Sequence, residues 1–143
     1  MATITTASDS TTIVLNGTAI TDLGVGDIVT ITPVNPSATI IAAGNGGANI
    51  NKRSDADMHD ILINVQALSD SDSFLNSIER QDVPVPLSGS IKENFNRDGV
   101  EGVESWLLEN GTFTVKPTRT YNDTDGNALI AYTIQFRTAK RNL

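Results

Sequence analysis

Ile61-Leu62-Ile63-Asn64-Val65-Gln66-Ala67-Leu68, followed closely by Ser71-Asp72-Ser73-Phe74-Leu75-Asn76-Ser77-Ile78, is the stretch that sets the architecture. In the first segment Ile61, Ile63, Val65 and Ala67 alternate with Leu62, Asn64, Gln66 and Leu68. A period of two predicts a β-strand with one apolar face. The second face is mixed yet uncharged, where a solvent face ordinarily carries charge, so a neighbour that covers it is expected. In the second segment Phe74, Leu75 and Ile78 form one stripe, which predicts a short helix packed on the sheet. Ser69, Ser71 or Asp72 can cap it, and Asp70 and Asp72 lie where the helix dipole favours acids. Two turns do not persist alone in water, so packing must hold them. Pro84 and Pro86 end any continuation.

Upstream, residues 1–10 are small and polar and read as a flexible arm. Thr11–Leu15 reads as a strand, and Asn16-Gly17 is a hairpin turn because both residues tolerate positive φ. Gly24-Val25-Gly26-Asp27 reads as a second turn. Asp27–Thr32 is the next strand, stopped by Pro33 and Pro36. Thr39–Ala42 is a short strand, stopped by Gly44-Asn45-Gly46-Gly47. From Ala48 to Asp60 no period emerges, which predicts a long protruding loop.

Downstream, Ser88–Lys92 is a strand candidate and Asn94–Gly102 a polar turn region. Val103–Leu108 fits a strand or a helical turn. Thr112–Lys116 alternates cleanly. Asn122–Asn127 reads as the turn into a last strand, where Ile130, Tyr132, Ile134 and Phe136 oppose Ala131, Thr133, Gln135 and Arg137. Roughly six to eight strands and one helix make a mainly β (α+β) chain. The expected form is a β-sandwich or small β-barrel over residues 11–143, one domain with the helix at its side.

A length of 143 residues suits one domain with a real core. With only 5% aromatic residues, that core must be built mainly from Ile, Leu, Val and Ala. The absence of cysteine excludes disulfides, thiol catalysis and Cys-ligated zinc. Nothing approaches the ~18 apolar residues of a membrane span, and the start lacks the basic and apolar regions of a secretory signal. A net charge of −7 argues against a nucleic-acid reader or an anionic membrane as partner. The charge is uneven: residues 1–51 contain no Lys or Arg, whereas Arg137, Lys140 and Arg141 make a basic C-terminal tail. Such polarity would let opposite ends of identical subunits attract.

No residue set supports a reaction. His59 is the only histidine, lacks any metal or triad spacing, and reads as a surface or interface residue. Asp123, Asp125, Gly126 and Asn127 form half a calcium loop, but Tyr132 stands where the closing Glu is needed, so a hairpin turn is expected. Asp70 and Asp72 read as helix-start residues. Asp55 and Asp57 lie among Lys52, Arg53 and His59 and read as an ion-pair network, within or between subunits. Asn16-Gly17-Thr18, Asn110-Gly111-Thr112 and Asn122-Asp123-Thr124 match the glycosylation pattern but read as turn residues flanking strands. Gly44–Gly47 is followed by no Lys-Ser/Thr and is no phosphate loop. Trp106 reads as a core anchor. The expectation is a non-enzyme without catalytic, metal or cofactor site.

From Gly44 to Leu143, the order of elements resembles a bacteriophage tail tube protein. The resemblance is carried by the Asn49-Ile50-Asn51-Lys52-Arg53 loop, the Ile61–Leu68 strand, the Ser71–Ile78 helix and the closing strands within Asn110–Phe136. The type VI secretion tube protein belongs to the same superfamily. The resemblance implies a virion structural subunit, made in the host cytoplasm, whose sheets join into six-fold rings stacked as a hollow, DNA-conducting tube. It implies as partners further copies of itself, with sheath, tape-measure and tail terminator or baseplate proteins. DNA would be only non-specific cargo, and no membrane is involved. Asn49, Ile50, Asn51, Lys52, Arg53, Asp55, Asp57, His59, Arg137, Lys140 and Arg141 are then candidates for contacts between subunits or rings. Leu62, Asn64 and Gln66 are candidates for a lumen or neighbour-covered face. The alternative from another class is a carbohydrate-binding or capsid-decorating β-sandwich module, against which one Trp and two Tyr weigh.

Overall fold

The computed structural model describes residues 1–7, 9–24, 26–124 and 128–143. In chain order its elements are β1 (Ile4–Thr5), β2 (Thr11–Leu15), β3 (Thr18–Ile20), β4 (Val29–Pro33), β5 (Ala38–Ala42), β6 (Ala48–Lys52) and β7 (His59–Gln66). There follow α1 (Asp70–Glu79), β8 (Leu87–Arg97), β9 (Val100–Arg119) and β10 (Leu129–Asn142). The main sheet is antiparallel in the order β3-β2-β8-β9-β10-β7-β4, with β1 paired to β8. Strands β5 and β6 form a separate two-stranded sheet. The chain is mainly β with one short helix, as its patterning predicts, but the sheet does not close into a barrel.

A flat sheet could not bring all its strands to one core. Here Ile13, Leu15 and Ile20 from one edge share a buried cluster with Ile61, Ile63, Val65, Tyr132, Ile134 and Phe136 near the other edge. The sheet therefore curls, and Leu23 bridges to Val65 across the opening. The expected inner face of the strand at Ile61 is confirmed, with Ile61, Ile63 and Val65 all buried. Leu75 is buried, and Phe74 and Ile78 pack against the cluster, so the predicted helix stripe meets the sheet.

Ser69 is the N-cap of α1, its hydroxyl accepting from the Asp72 amide at 3.3 Å. Asp72 answers in two directions. One oxygen accepts from the Leu68 amide at 2.8 Å, and the other accepts from the Tyr132 hydroxyl at 2.5 Å. The buried Ser71 hydroxyl accepts from the amides of Thr21 and Asp22, while the Asp22 carboxylate accepts from the Ser71 amide. Burial, then the Asp72 hydrogen bond and its negative charge, push the Tyr132 phenol well above its ordinary value.

Several expectations are corrected by the sheet. Asn94–Gly102 is not a broad turn: β8 runs on to Arg97, and only Asp98 and Gly99, both at positive φ, reverse the chain. Asp-Gly is a two-residue hairpin turn of the type that matches strand twist. Val103–Leu108 is strand, part of a continuous β9. Asn110-Gly111 does not flank strands as a turn. It lies inside β9, with Asn110 at φ 55, at a bulge where Leu87 pairs Gly111 but Gly89 pairs Leu108. Gly111 is paired on both sides, by Leu87 and by Phe136, and β10 continues past it, so the extra residue is absorbed as a kink rather than a reversal. The arm expected over 1–10 contains β1, where Ile4 pairs Arg97 and Thr5 pairs Asn96. The turn expected at Gly24–Asp27 and the half calcium loop at Asp123–Asn127 include Val25, Asp125, Gly126 and Asn127, which lie outside the described residues.

Candidate functional site

The most exposed regular structure lies between β4 and β7. The chain leaves β4 at Pro33, runs out along β5, turns through Ala43–Gly47 and returns along β6. The stretch expected to be an aperiodic loop from Ala48 is thus half of a hairpin. The missed sign was the pairing potential of Ala38–Ala42 with Ala48–Lys52 across a Gly/Asn turn. Gly46 takes φ 90, and the Ala43 amide donates to the Gly47 carbonyl at 2.8 Å to close that turn. From Val34 to Asn45 the chain can reach at most ~35 Å.

Its register sorts the side chains. Ala38 faces Lys52, Ile40 faces Ile50 and Ala42 faces Ala48, so one face is almost wholly apolar. The other face alternates with it and carries Thr39, Ile41, Asn49 and Asn51. Nothing in the described chain covers either face: Ile40 is 69% exposed, Ile41 67% and Ile50 73%. Ile40 and Ile41 were not among the sequence-derived candidates, although Ile50 was.

The hairpin is held at its root. The Val34 amide donates to the Met58 carbonyl at 3.1 Å, the Arg53 amide to the Ser37 carbonyl at 3.0 Å, and Asn35 Nδ2 to the Asp55 carbonyl at 3.3 Å. Arg53 pairs bidentately with Asp55, both contacts at 2.9 Å. This hydrogen-bonded pairing with Arg53 holds the Asp55 carboxyl below the usual carboxylate range. The Asp57 carbonyl accepts from the Ala139 amide, and its carboxylate lies 3.9 Å from Lys140 Nζ. Arg137 Nη2 donates to the Ser54 carbonyl at 3.2 Å. His59 Nδ1 lies 2.9 Å from the Asp57 carbonyl, with its ring edge-on to Trp106 at 5.4 Å.

The structure therefore gathers Arg53, Asp55, Asp57, His59, Arg137 and Lys140 at the hairpin root, with ion pairs Arg53–Asp55 and Lys140–Asp57 and with His59 and Arg137 bound to backbone carbonyls. Arg141 is elsewhere, paired with Glu104. The expected basic tail is not free, because β10 runs to Asn142. Asn49, Ile50, Asn51 and Lys52 project along β6, and Lys52 has no ion-pair partner among the described residues.

The second face of β7 has Leu62 and Asn64 half-buried and Gln66 exposed. Thr30, Leu62, Thr133 and Val115 align across four strands, beside Thr32, Asp60, Gln135 and Thr112. Only Asp60 in these two rows is charged, and it accepts from Gln135 Nε2 at 3.0 Å. This convex face is polar and carries no cation in those rows.

The fold is shared with chains of injection-particle assemblies. One is a chain of the PVC sheath–tube complex of an extracellular contractile injection system in the extended state, at TM-score 0.62 and 11% identity. Another is a chain of the anti-feeding prophage cap, a tube-terminating cap, at TM-score 0.63 and 10% identity. Each match spans 96% of this chain and 91% of the other. At such identity the likeness is one of fold. No protein-family model and no curated protein matches the chain.

Proposed function

We propose that this chain is a non-enzymatic structural subunit of a tail or injection tube, assembling laterally into rings of six that stack into a hollow tube. The observation that carries this is the exposed apolar hairpin, rooted rigidly at one end of a fold also found in a sheath–tube complex and a tube cap. A monomer gains nothing from exposing three isoleucines on a projecting hairpin, whereas burial in a neighbour would recover their hydrophobic free energy. The outer edges of β3 and β4 carry unpaired backbone groups, and a ring would cover them. The cation-free rows centred on Leu62 suit a channel wall that does not hold phosphate. DNA would be such a tube's non-specific cargo. Sheath, tape-measure and tail terminator or baseplate proteins are the partner classes, and the tail of a phage-like particle is the location.

Negative-stain microscopy of the purified chain tests this. Rings or tubes with a central channel are expected. A strictly monomeric species at high concentration, even beside a sheath or tape-measure protein, would overturn it. The likeness to a tube-terminating cap favours a second reading, in which the chain closes a tube. Single rings that never stack would select it.

A further inference from the structure

The hairpin needs a receptor, and the opposite end of the same chain has an unusual residue. β7 is eight residues long, so its ends lie ~25 Å apart. The hairpin enters at its first residue, His59. Just beyond its last residue stands Leu68, at φ 67 and 87% exposed. Left-handed backbone disfavours leucine, and glycine would adopt it freely. Exposure disfavours leucine too. Neither local conformation nor burial within the chain explains this side chain, and such conflicts concentrate at functional sites.

Leu68 is not isolated. Gln66 pairs with Leu129, and Ile130 with Arg119, so the ends of β7, β10 and β9 lie side by side. They present Leu68, Leu129 at 40% exposure and Tyr121 at 78%. Acids lie at the same end of the sheet, and the Asp72 carboxylate accepts from the Leu68 amide itself. Asp70 and Asp72 occupy the first turn of α1, and Asp22 is hydrogen-bonded to Ser71 of that turn. The Asp27 carbonyl accepts from Asn64, and Asp123 follows β9. Arg119, stacked on Tyr121, is the cation among them. The hairpin is the electrostatic counterpart: residues 34–54 contain Lys52 and Arg53 and no acid.

We propose that the α1-bearing end of one copy is the receptor for the β5–β6 hairpin of a second copy. Leu68, Tyr121 and Leu129 would take up the apolar hairpin face, and the acids would face Lys52. The contact is heterologous, joining different patches of two identical chains, and so it propagates without closing. This inference rests on the tube reading and specifies its axial contact.

The test uses the full chain with Leu68→Gly and, separately, Tyr121→Ser. Leu68→Gly relieves the left-handed leucine, so its melting temperature is expected to match or exceed that of the wild type. Its stacking should nevertheless weaken about tenfold or more. A hairpin-defective Ile40→Thr/Ile50→Thr chain should also fail to stack alone. Mixed with Leu68→Gly, it should give a capped complex of limited length, because each mixture retains one good hairpin and one good receptor. Wild-type stacking by both receptor variants would overturn the receptor while leaving the tube reading intact. So would a mixture that forms no complex. A wild-type chain that never assembles would overturn both.

Discussion

Replacing Ile40 and Ile50 with threonine separates folding from assembly. The two side chains face each other across β5 and β6, and threonine keeps the β-branched shape that suits such a pair. Both isoleucines remain about 70% exposed in the single chain, at 69% and 73%. Substitutions at such sites change folding stability by roughly 0.5 kcal/mol or less. Assembly is different. Full burial of an isoleucine contributes ~1.5–3 kcal/mol, and about two thirds of that is still unused here. Threonine retains one methyl, so each substitution forfeits about 1 kcal/mol of contact free energy, or ~2 kcal/mol per hairpin. That corresponds to about a thirtyfold weaker contact. Sedimentation across a concentration series reads the assembly threshold, and circular dichroism with thermal melting reads the fold. An unchanged threshold would refute the hairpin as an assembly element. A melting temperature lowered by many degrees would show instead that the hairpin packs within its own chain.

Two further outcomes test the interior. A Cβ at position 89 would lie 1.9 Å from the Val14 carbonyl oxygen, so Gly89→Ala must part β2 from β8; a loss of about 3 kcal/mol in urea unfolding is expected. The Tyr132 phenol is raised in the folded state, so its stabilising contribution is complete below the ordinary phenol value of about 10 and falls away as pH rises beyond it. Tyr132→Phe should cost about 1.5–3 kcal/mol at neutral pH by leaving the Asp72 carboxylate short of a donor, and should flatten that alkaline decline; denaturant titrations at neutral and alkaline pH measure both.

Much of the chain was legible because its information is local. The alternation at Ile61–Val65 and at Ile130–Phe136, the stripe at Phe74, Leu75 and Ile78, and the Asn16-Gly17 turn each declare themselves within a few residues. Ser69 was one of three possible caps, and only the observed bond to the Asp72 amide chose it. Asn110-Gly111 shows the limit. The same dipeptide chemistry that turns the chain at Asn16-Gly17 makes a bulge here, since β8 and β10 hold the strand on both sides.

The candidate surfaces were less legible. Ala48 to Asp60 drew notice for lacking a period, but Ile40 and Ile41 passed as an ordinary short strand. An isoleucine in a strand has the same sequence signature whether its face is buried or wet. Periodicity and turn chemistry by themselves determined a mainly β chain with one packed helix, because those depend on near neighbours. Only the tertiary structure decided that β5 and β6 stand away from the core, that Arg137 and Lys140 fold back on the hairpin root, and that Leu68 sits exposed at the far end. These depend on which distant strands pair and on how far the sheet curls, and no stretch of neighbouring residues encodes either.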